Sequence, residues 1–76
     1  MNNFVFEVKY ELDFESGEGS SNRQRVLVKK YDAQLAVDKV KADAMKSTRW
    51  DDEAGKRVKA TAFRLTSVDF VTDFDR

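Results

Sequence analysis

The fold of this chain is decided by the stretch Phe4-Val-Phe-Glu-Val-Lys-Tyr-Glu-Leu-Asp-Phe14. Its even positions are all apolar, and its odd positions are charged apart from Val5. Successive side chains of a β-strand point to opposite faces, so this alternation is typical of a strand with one face in a core and the other in water. The pattern predicts a first strand over about residues 3–14.

The length and composition predict one small domain, residues 1–76, with a thin core. The sequence has no cysteine, whereas small secreted domains usually carry disulfides, so we expect a cytoplasmic protein. The N-terminal residues lack the pattern of a signal peptide. No apolar stretch approaches the roughly 20 residues that span a bilayer, so no membrane association is predicted.

Charges are balanced in number but separated along the chain. The sequence has 14 basic and 14 acidic residues. Residues 1–20 hold five acids and one base, and residues 21–49 hold eight bases and three acids. Such blocks can form interaction faces, or they can neutralise one another on neighbouring strands. We favour neutralisation, because the acids of the first strand and the bases of the second are expected to lie on neighbouring strands.

A second strand over residues 23–31 is expected to pair with the first across a solvated loop of residues 15–22, which is rich in serine and glycine. Opposite charges directly across an antiparallel ladder are favourable. The register that this rule predicts sets Tyr10 against Val26, Glu11 against Arg25, and Glu7 against Lys29.

The remainder of the chain predicts a helix and a final β segment. Asp32 suits a helix N-cap, and small apolar residues at helical spacing predict a helix from Ala33 to about Thr48. Residues 49–55 are expected to form a loop. Residues 56–71 resemble a strand whose apolar residues change face. One face holds Val58, Ala60 and Ala62, the other holds Phe63 and Leu65, and Val68 and Phe70 return to the first. This pattern indicates a bulge, a bend or two strands broken near Thr66 and Ser67.

These elements predict an α+β fold with the order β-β-α-β. One helix packs on one face of an antiparallel sheet of three or four strands, the number depending on whether the last segment is split. The sequence leaves that choice open.

The composition argues against catalysis. The chain has neither histidine nor cysteine, so the commonest general base and metal ligand and the strongest nucleophile are missing. Asp51, Asp52 and Glu53 lack the ligand spacing of a helix–loop–helix calcium site and are expected to be solvated loop acids. We predict a protein that is not an enzyme and that uses no metal and no cofactor.

Trp50 admits two interpretations. It can cap one end of the core between helix and sheet, which is the interpretation we favour, or it can anchor a protein interface, as tryptophan beside arginine often does. For a partner-binding surface the sequence offers two candidate groups. They are Arg49, Trp50, Asp51, Asp52 and Glu53 in the first, and Arg57, Lys59 and Arg64 in the second.

A nucleic-acid-binding sheet face is the alternative function, since bases cluster on two β segments. Its candidate residues are Arg23, Arg25, Lys29, Lys30, Lys56, Arg57 and Lys59. The balanced net charge and the lack of the glycine–aromatic pattern of RNA-binding sheets argue against it. A homodimer formed through an exposed edge strand is a third possibility.

The layout between Arg25 and Val68 is similar to that of known small proteins. A strand ending in Val26-Leu-Val-Lys-Lys-Tyr31, an aspartate-capped helix and a returning strand, Ala62-Phe-Arg-Leu-Thr-Ser-Val68, resemble short bacteriophage-encoded inhibitors of host machinery, such as the phage inhibitor of bacterial RNA polymerase. The likeness is one of layout and carries no motif. It implies a non-enzymatic protein that binds and occludes a larger host protein of the transcription or defence machinery.

Overall fold

The first strand, β1, spans Asn2–Phe14 in a computed structural model that describes the backbone of residues 2–75 and the side chains of residues 3–73. Its core-facing side chains are Phe6, Val8, Tyr10, Leu12 and Phe14, each less than 9% exposed. The odd positions lie on the opposite face. The predicted period of two is therefore confirmed, and it makes β1 the centre of the core.

Strand β2 spans Gly19–Val28 and pairs antiparallel with β1. It begins four residues earlier than predicted because the turn is short. The Phe14 amide donates to the Glu18 carbonyl at 2.9 Å, and Gly17 closes the turn with a φ of 87°. Residues 15–18 are thus the whole connection between the two strands.

The short turn makes the predicted register wrong. Tyr10 lies opposite Asn22 rather than Val26, Glu11 opposite Ser21, and Glu7 opposite Arg25. Val26 pairs with Phe6 instead. Neutralisation between the strands is nevertheless present, since the Glu7 carboxylate contacts both Arg23 at 3.3 Å and Arg25 at 3.9 Å.

Helix α1 spans Ala33–Ala44 and ends before the predicted Thr48. The Asp32 carboxylate accepts a hydrogen bond from the Gln34 amide at 2.9 Å, as expected of an N-cap. The buried stripe consists of Ala36, Val37, Val40 and Ala44. These small side chains let the helix lie close to the aromatic residues of β1.

Strand β3, Thr48–Asp51, occupies part of the segment predicted as a loop. It forms a hairpin with the start of strand β4, which spans Lys56–Asp75. Gly55, with a φ of 64°, lies in the connecting turn. A four-residue strand has almost no periodicity of its own, and its conformation is set by hydrogen bonds to β4. The fourth strand of the sheet is therefore β3 and not a split half of the last segment.

Strand β4 is a single strand interrupted by three bulges. Thr61, Thr66 and Val71 are the extra residues, which have no partner on β1. The bulges at Thr61 and Thr66 return the apolar residues that follow them to the core side, so Phe63 pairs with Leu12 and Val68 with Val8 on that face. Of the bulge, bend or strand break that the sequence left open near Thr66, the structure has a bulge within one strand.

The strand order is β2-β1-β4-β3, all neighbours being antiparallel, and α1 packs on one face of the sheet. The predicted α+β class is confirmed. We call the face without the helix the open face. Within residues 2–75, no further strand pairs with the outer edge of β2, or with that of β4 beyond the short β3 pairing.

Candidate protein interface

Trp50 lies on the open face of the β3–β4 hairpin. It pairs with Arg57, and Thr48, two residues earlier on the same face of β3, pairs with Lys59. Val58 and Ala60, which alternate with these bases, are buried on the core face. We call Thr48, Trp50, Arg57 and Lys59 the Trp50 patch. The Trp50 side chain is 57% exposed, so the favoured interpretation that it caps the core is wrong.

The bases of the Trp50 patch are not neutralised by the rest of the described chain. Arg57 donates from Nη1 to the Thr48 hydroxyl at 3.3 Å, a contact that holds the guanidinium along the strand. Among the described side chains, no carboxylate oxygen lies within 4.0 Å of Arg57 or Lys59. Both side chains are exposed and keep their charge available to a partner.

Arg49 has a different role from Trp50 although the two are adjacent. It points to the core side, where its guanidinium carbon lies 5.3 Å from the centroid of the Phe14 ring. Its Nη1 also lies 3.5 Å from the Glu18 carboxylate. Arg49 therefore ties the β1–β2 turn to the hairpin and is only 40% exposed in its side chain. The structure separates it from the patch that Trp50 forms.

The acidic residues next to Trp50 form the wall of a groove. This acidic groove, about 590 Å³ in volume, lies between residues 16–18 of the β1–β2 turn and residues 49–53 of the hairpin. The Asp51 carboxylate accepts the Glu53 amide at 3.1 Å, which orders the turn. Asp52 and Glu53 are exposed. Trp50 therefore stands between an acidic groove and two free bases.

Arg64 lies on the same open face but is already occupied. Its guanidinium contacts Glu11 at 3.1 Å and also Asp13, both across the β1–β4 ladder. Hydrogen bonds to Asp13 and Glu11 raise the pKa of Arg64 above its usual value. Of the second predicted group, Arg57 and Lys59 belong to the Trp50 patch, whereas Arg64 holds β1 and β4 together.

The residues predicted for nucleic-acid binding do not form one surface. Arg23 and Arg25 are bridged to Glu7 on the open face. Lys29 and Lys30 follow the end of β2, near Phe4, whereas the hairpin bases lie beyond Phe14. Ten residues of strand separate these two ends of β1, which is about 33 Å at 3.3 Å per residue.

An aromatic cluster at the far end of the sheet was not predicted. Tyr31 lies 5.1 Å from Phe70, 5.7 Å from Phe4 and 5.8 Å from Phe6, measured between ring centroids. Tyr31 is 68% exposed and Phe70 is 44% exposed. The sequence signal was the even position of Phe4 and Phe6. Phe70 has the same parity as the buried Ala60, and because two bulges lie between these residues, both remain on the core face.

Among the side chains of residues 3–73, no group of three or more acidic residues is arranged to hold a metal ion. In the same range no helix is long and apolar enough to cross a membrane. No protein-family model matches the sequence, and neither a curated protein nor a solved structure matches it significantly.

Proposed function

We propose that this chain is a small non-enzymatic protein-binding module whose anchor is Trp50. The observation that carries the proposal is the 57% exposure of this tryptophan beside two unneutralised bases. Burying an indole of this size contributes strongly to binding, and tryptophan and arginine are the residues most enriched at interface hot spots. A core position would have given Trp50 a structural role and left the surface without an anchor.

The charges around Trp50 favour a protein partner over nucleic acid. A phosphate backbone that approached Arg57 and Lys59 would also meet the carboxylates of Asp52 and Glu53. A protein surface can present charges of both signs in matching positions, which fixes the orientation of binding. The layout resemblance to phage inhibitors extends the proposal to one class of action, in which the module occludes a surface of a larger host protein.

The test uses Trp50 as both anchor and reporter, because the sequence has a single tryptophan. Affinity capture from bacterial lysate, with mass spectrometry, compares the wild-type protein with Trp50→Ala and with Tyr31→Ala. Tyr31 is the matched control, since it is an exposed aromatic residue at the far end of the sheet. We expect Trp50→Ala alone to lose the partner.

With the purified partner, Trp50→Ala should weaken the Kd by about 30-fold or more, as expected of a hot-spot residue. The Trp50 emission of the wild-type protein should shift to shorter wavelength as the indole becomes buried. Unchanged affinity of a Trp50→Ala variant with a normal thermal unfolding transition would refute the proposal.

The nucleic-acid alternative is tested by fluorescence anisotropy with single-stranded and duplex oligonucleotides. Phosphate-driven binding falls steeply with salt, so it should be strongest at about 50 mM. Binding that weakens with salt and is lost in an Arg57→Ala, Lys59→Ala double variant would favour this alternative. No change in anisotropy at that salt concentration would eliminate it.

A further inference from the structure

The outer edge of β4 is unpaired over most of its length. Strand β3 pairs with β4 only from Lys56 to Lys59, and the Ala60 amide donates to the Ser47 carbonyl at 3.2 Å. From Thr61 onward, the described backbone pairs with β4 only on its β1 side. An exposed edge of this length is a template for another strand.

Partly exposed apolar side chains accompany this edge on the core face. They are Phe63, Leu65, Val68 and Phe70, with Leu65 47% and Phe70 44% exposed. The helix covers β1 more completely than it covers this part of β4. A strand added at the edge would bury these side chains, in addition to forming backbone hydrogen bonds.

The bulges make the edge unsuitable for an ordinary strand but suitable for a copy of itself. The extra residues Thr61, Thr66 and Val71 recur every five positions. A regular strand has no corresponding irregularity and would lose the match of faces after each bulge. A second β4, running antiparallel, carries the same irregularities in mirrored order. In such a pair, the numbers of any two opposing residues add up to the same sum, which defines the register. The core faces of the two copies coincide when this sum is 128, 133 or 138.

Charge selects one of these three registers. The sum of 128 puts Arg64 against Arg64 of the second copy, and the sum of 138 puts Asp69 against Asp69. The sum of 133 puts Arg64 against Asp69 twice. It also pairs Phe63 with Phe70 and Leu65 with Val68, all on the core face. Opposite charges across a ladder stabilise pairing, whereas like charges oppose it.

We propose that two copies of this chain associate through β4, antiparallel from Thr61 to Thr72, with the two-fold axis between Thr66 and Ser67. The contact is isologous, as in most homodimers. It leaves the Trp50 patch outside the paired residues, so it is independent of the proposed function.

The other free edge does not fit a second copy. Two β2 strands from different copies could pair antiparallel with their core faces on the same side. The two longest registers of this kind set Arg23 against Arg23 or against Arg25. Like charges directly opposite each other are destabilising. The core-face residues of the middle of β2 are Ser20, Asn22 and Gln24, which bring no apolar surface. The arginines of β2 therefore oppose pairing of this edge with a second copy, as charged residues on the edge strands of natural sheets commonly do.

Sedimentation equilibrium tests the association with matched leucine variants. Leu65 and Leu27 are exposed leucines on the two free edges. We expect a concentration-dependent dimer for the wild-type protein and for Leu27→Lys, and a monomer for Leu65→Lys, since lysine on an edge blocks strand pairing. A monomeric wild-type protein at about 100 μM, equivalent to a Kd far above the micromolar range, would overturn the proposal.

Charge variants test the register. Asp69→Arg places arginine opposite Arg64 and should weaken the dimer at least about tenfold in Kd. Asp73→Arg is the control, because Asp73 lies beyond the paired residues. Equal weakening by both variants, or by neither, contradicts the register.

Engineered cysteines then identify the neighbouring residues, since the chain has none of its own. Variants Leu65→Cys and Val68→Cys are mixed and oxidised. We expect the mixed disulfide to form in preference to either symmetrical one, because Leu65 of one copy lies opposite Val68 of the other. Preferential formation of the symmetrical products would refute this arrangement.

Discussion

At the scale of single residues, Tyr10 combines burial with a nearby negative charge. Its side chain is 7% exposed, and its ring stacks on Phe63 with 5.0 Å between centroids. Burial, and secondly the charge of Asp43, raise the pKa of the Tyr10 hydroxyl above its ordinary value near 10. The folded protein thus holds the phenolic proton more tightly than the unfolded chain does.

This difference predicts a loss of stability at high pH. Unfolding releases the Tyr10 proton once the pH passes the unfolded value near 10, so the free energy of unfolding falls as the pH rises further. Urea unfolding at a series of pH values between about 8 and 11 measures the slope. In Tyr10→Phe the decrease should be shallower than in the wild-type protein.

Tyr31→Phe is the control for this slope, because Tyr31 is the more exposed of the two tyrosines. Lysine titration affects both variants and the wild-type protein alike, so only the difference between slopes is informative. Equal slopes for Tyr10→Phe and the wild-type protein would contradict the assignment to Tyr10.

Trp50 shows what sequence patterning could not determine at this scale. Its position between a helix and an acidic turn was compatible with the core or the surface. The structure decides through β3, whose pairing with β4 directs position 50 away from the buried Val58. Side-chain direction in a four-residue strand depends on its pairing, and the segment that forms β3 was expected to be a loop without a partner.

At the scale of elements, the turn between β1 and β2 controls the register of the sheet. Gly17 has a φ of 87°, a conformation that is costly for residues with a Cβ atom. Its amide donates to the Phe14 carbonyl at 2.9 Å, which closes the turn. The predicted longer loop was wrong because serine and glycine in residues 19–22 do not prevent pairing when β1 offers a free edge.

Gly17→Ala should therefore lower the free energy of unfolding by about 1–2 kcal/mol. Space is not the cause, since a Cβ atom at Gly17 would contact no other residue. Gly19→Ala is the matched control, because Gly19 does not have a positive φ and its new Cβ would lie 3.4 Å from its nearest neighbours. Urea denaturation of both variants makes the comparison, and equal losses would show that the turn conformation is not what Gly17 provides.

The bulges of β4 were partly visible in the sequence. A change of apolar phase near Thr66 predicted an irregularity, and one is present. The bulges at Thr61 and Val71 were missed, and Ala62 was expected to share a face with Ala60. It lies instead opposite Asp13 on the open face. Small or polar residues carry too weak a preference for either face to reveal a bulge without the partner strand.

At the scale of the whole molecule, the protein is elongated. Its radius of gyration is 14.5 Å, against about 11 Å expected for a compact domain of this length. The cause is the pair of long strands, because β1 has 13 residues and β4 has 20, and a strand rises about 3.3 Å per residue against about 1.5 Å in the 12-residue helix that covers them. The period of two in β1 was enough to predict the fold class, but it could not predict that the helix leaves the β4 side of the sheet partly uncovered.

Stability should therefore depend on one thin layer between the sheet and the helix. A domain of this size has a total stability of about 4–11 kcal/mol. Val8 is 0% exposed at the centre of β1, whereas Val5 is half-buried on the open face of the same strand. The two valines have the same strand geometry and differ in the face that they occupy.

We expect Val8→Ala to lower the free energy of unfolding by about 2–3 kcal/mol, through lost burial and the cavity that remains. Val5→Ala should cost less than about 1 kcal/mol, since its side chain already contacts water. Urea denaturation of both variants with equal m-values provides the measurement. A loss at Val5 as large as that at Val8 would mean that the open face is also covered, which in solution would require a partner on that side of the sheet.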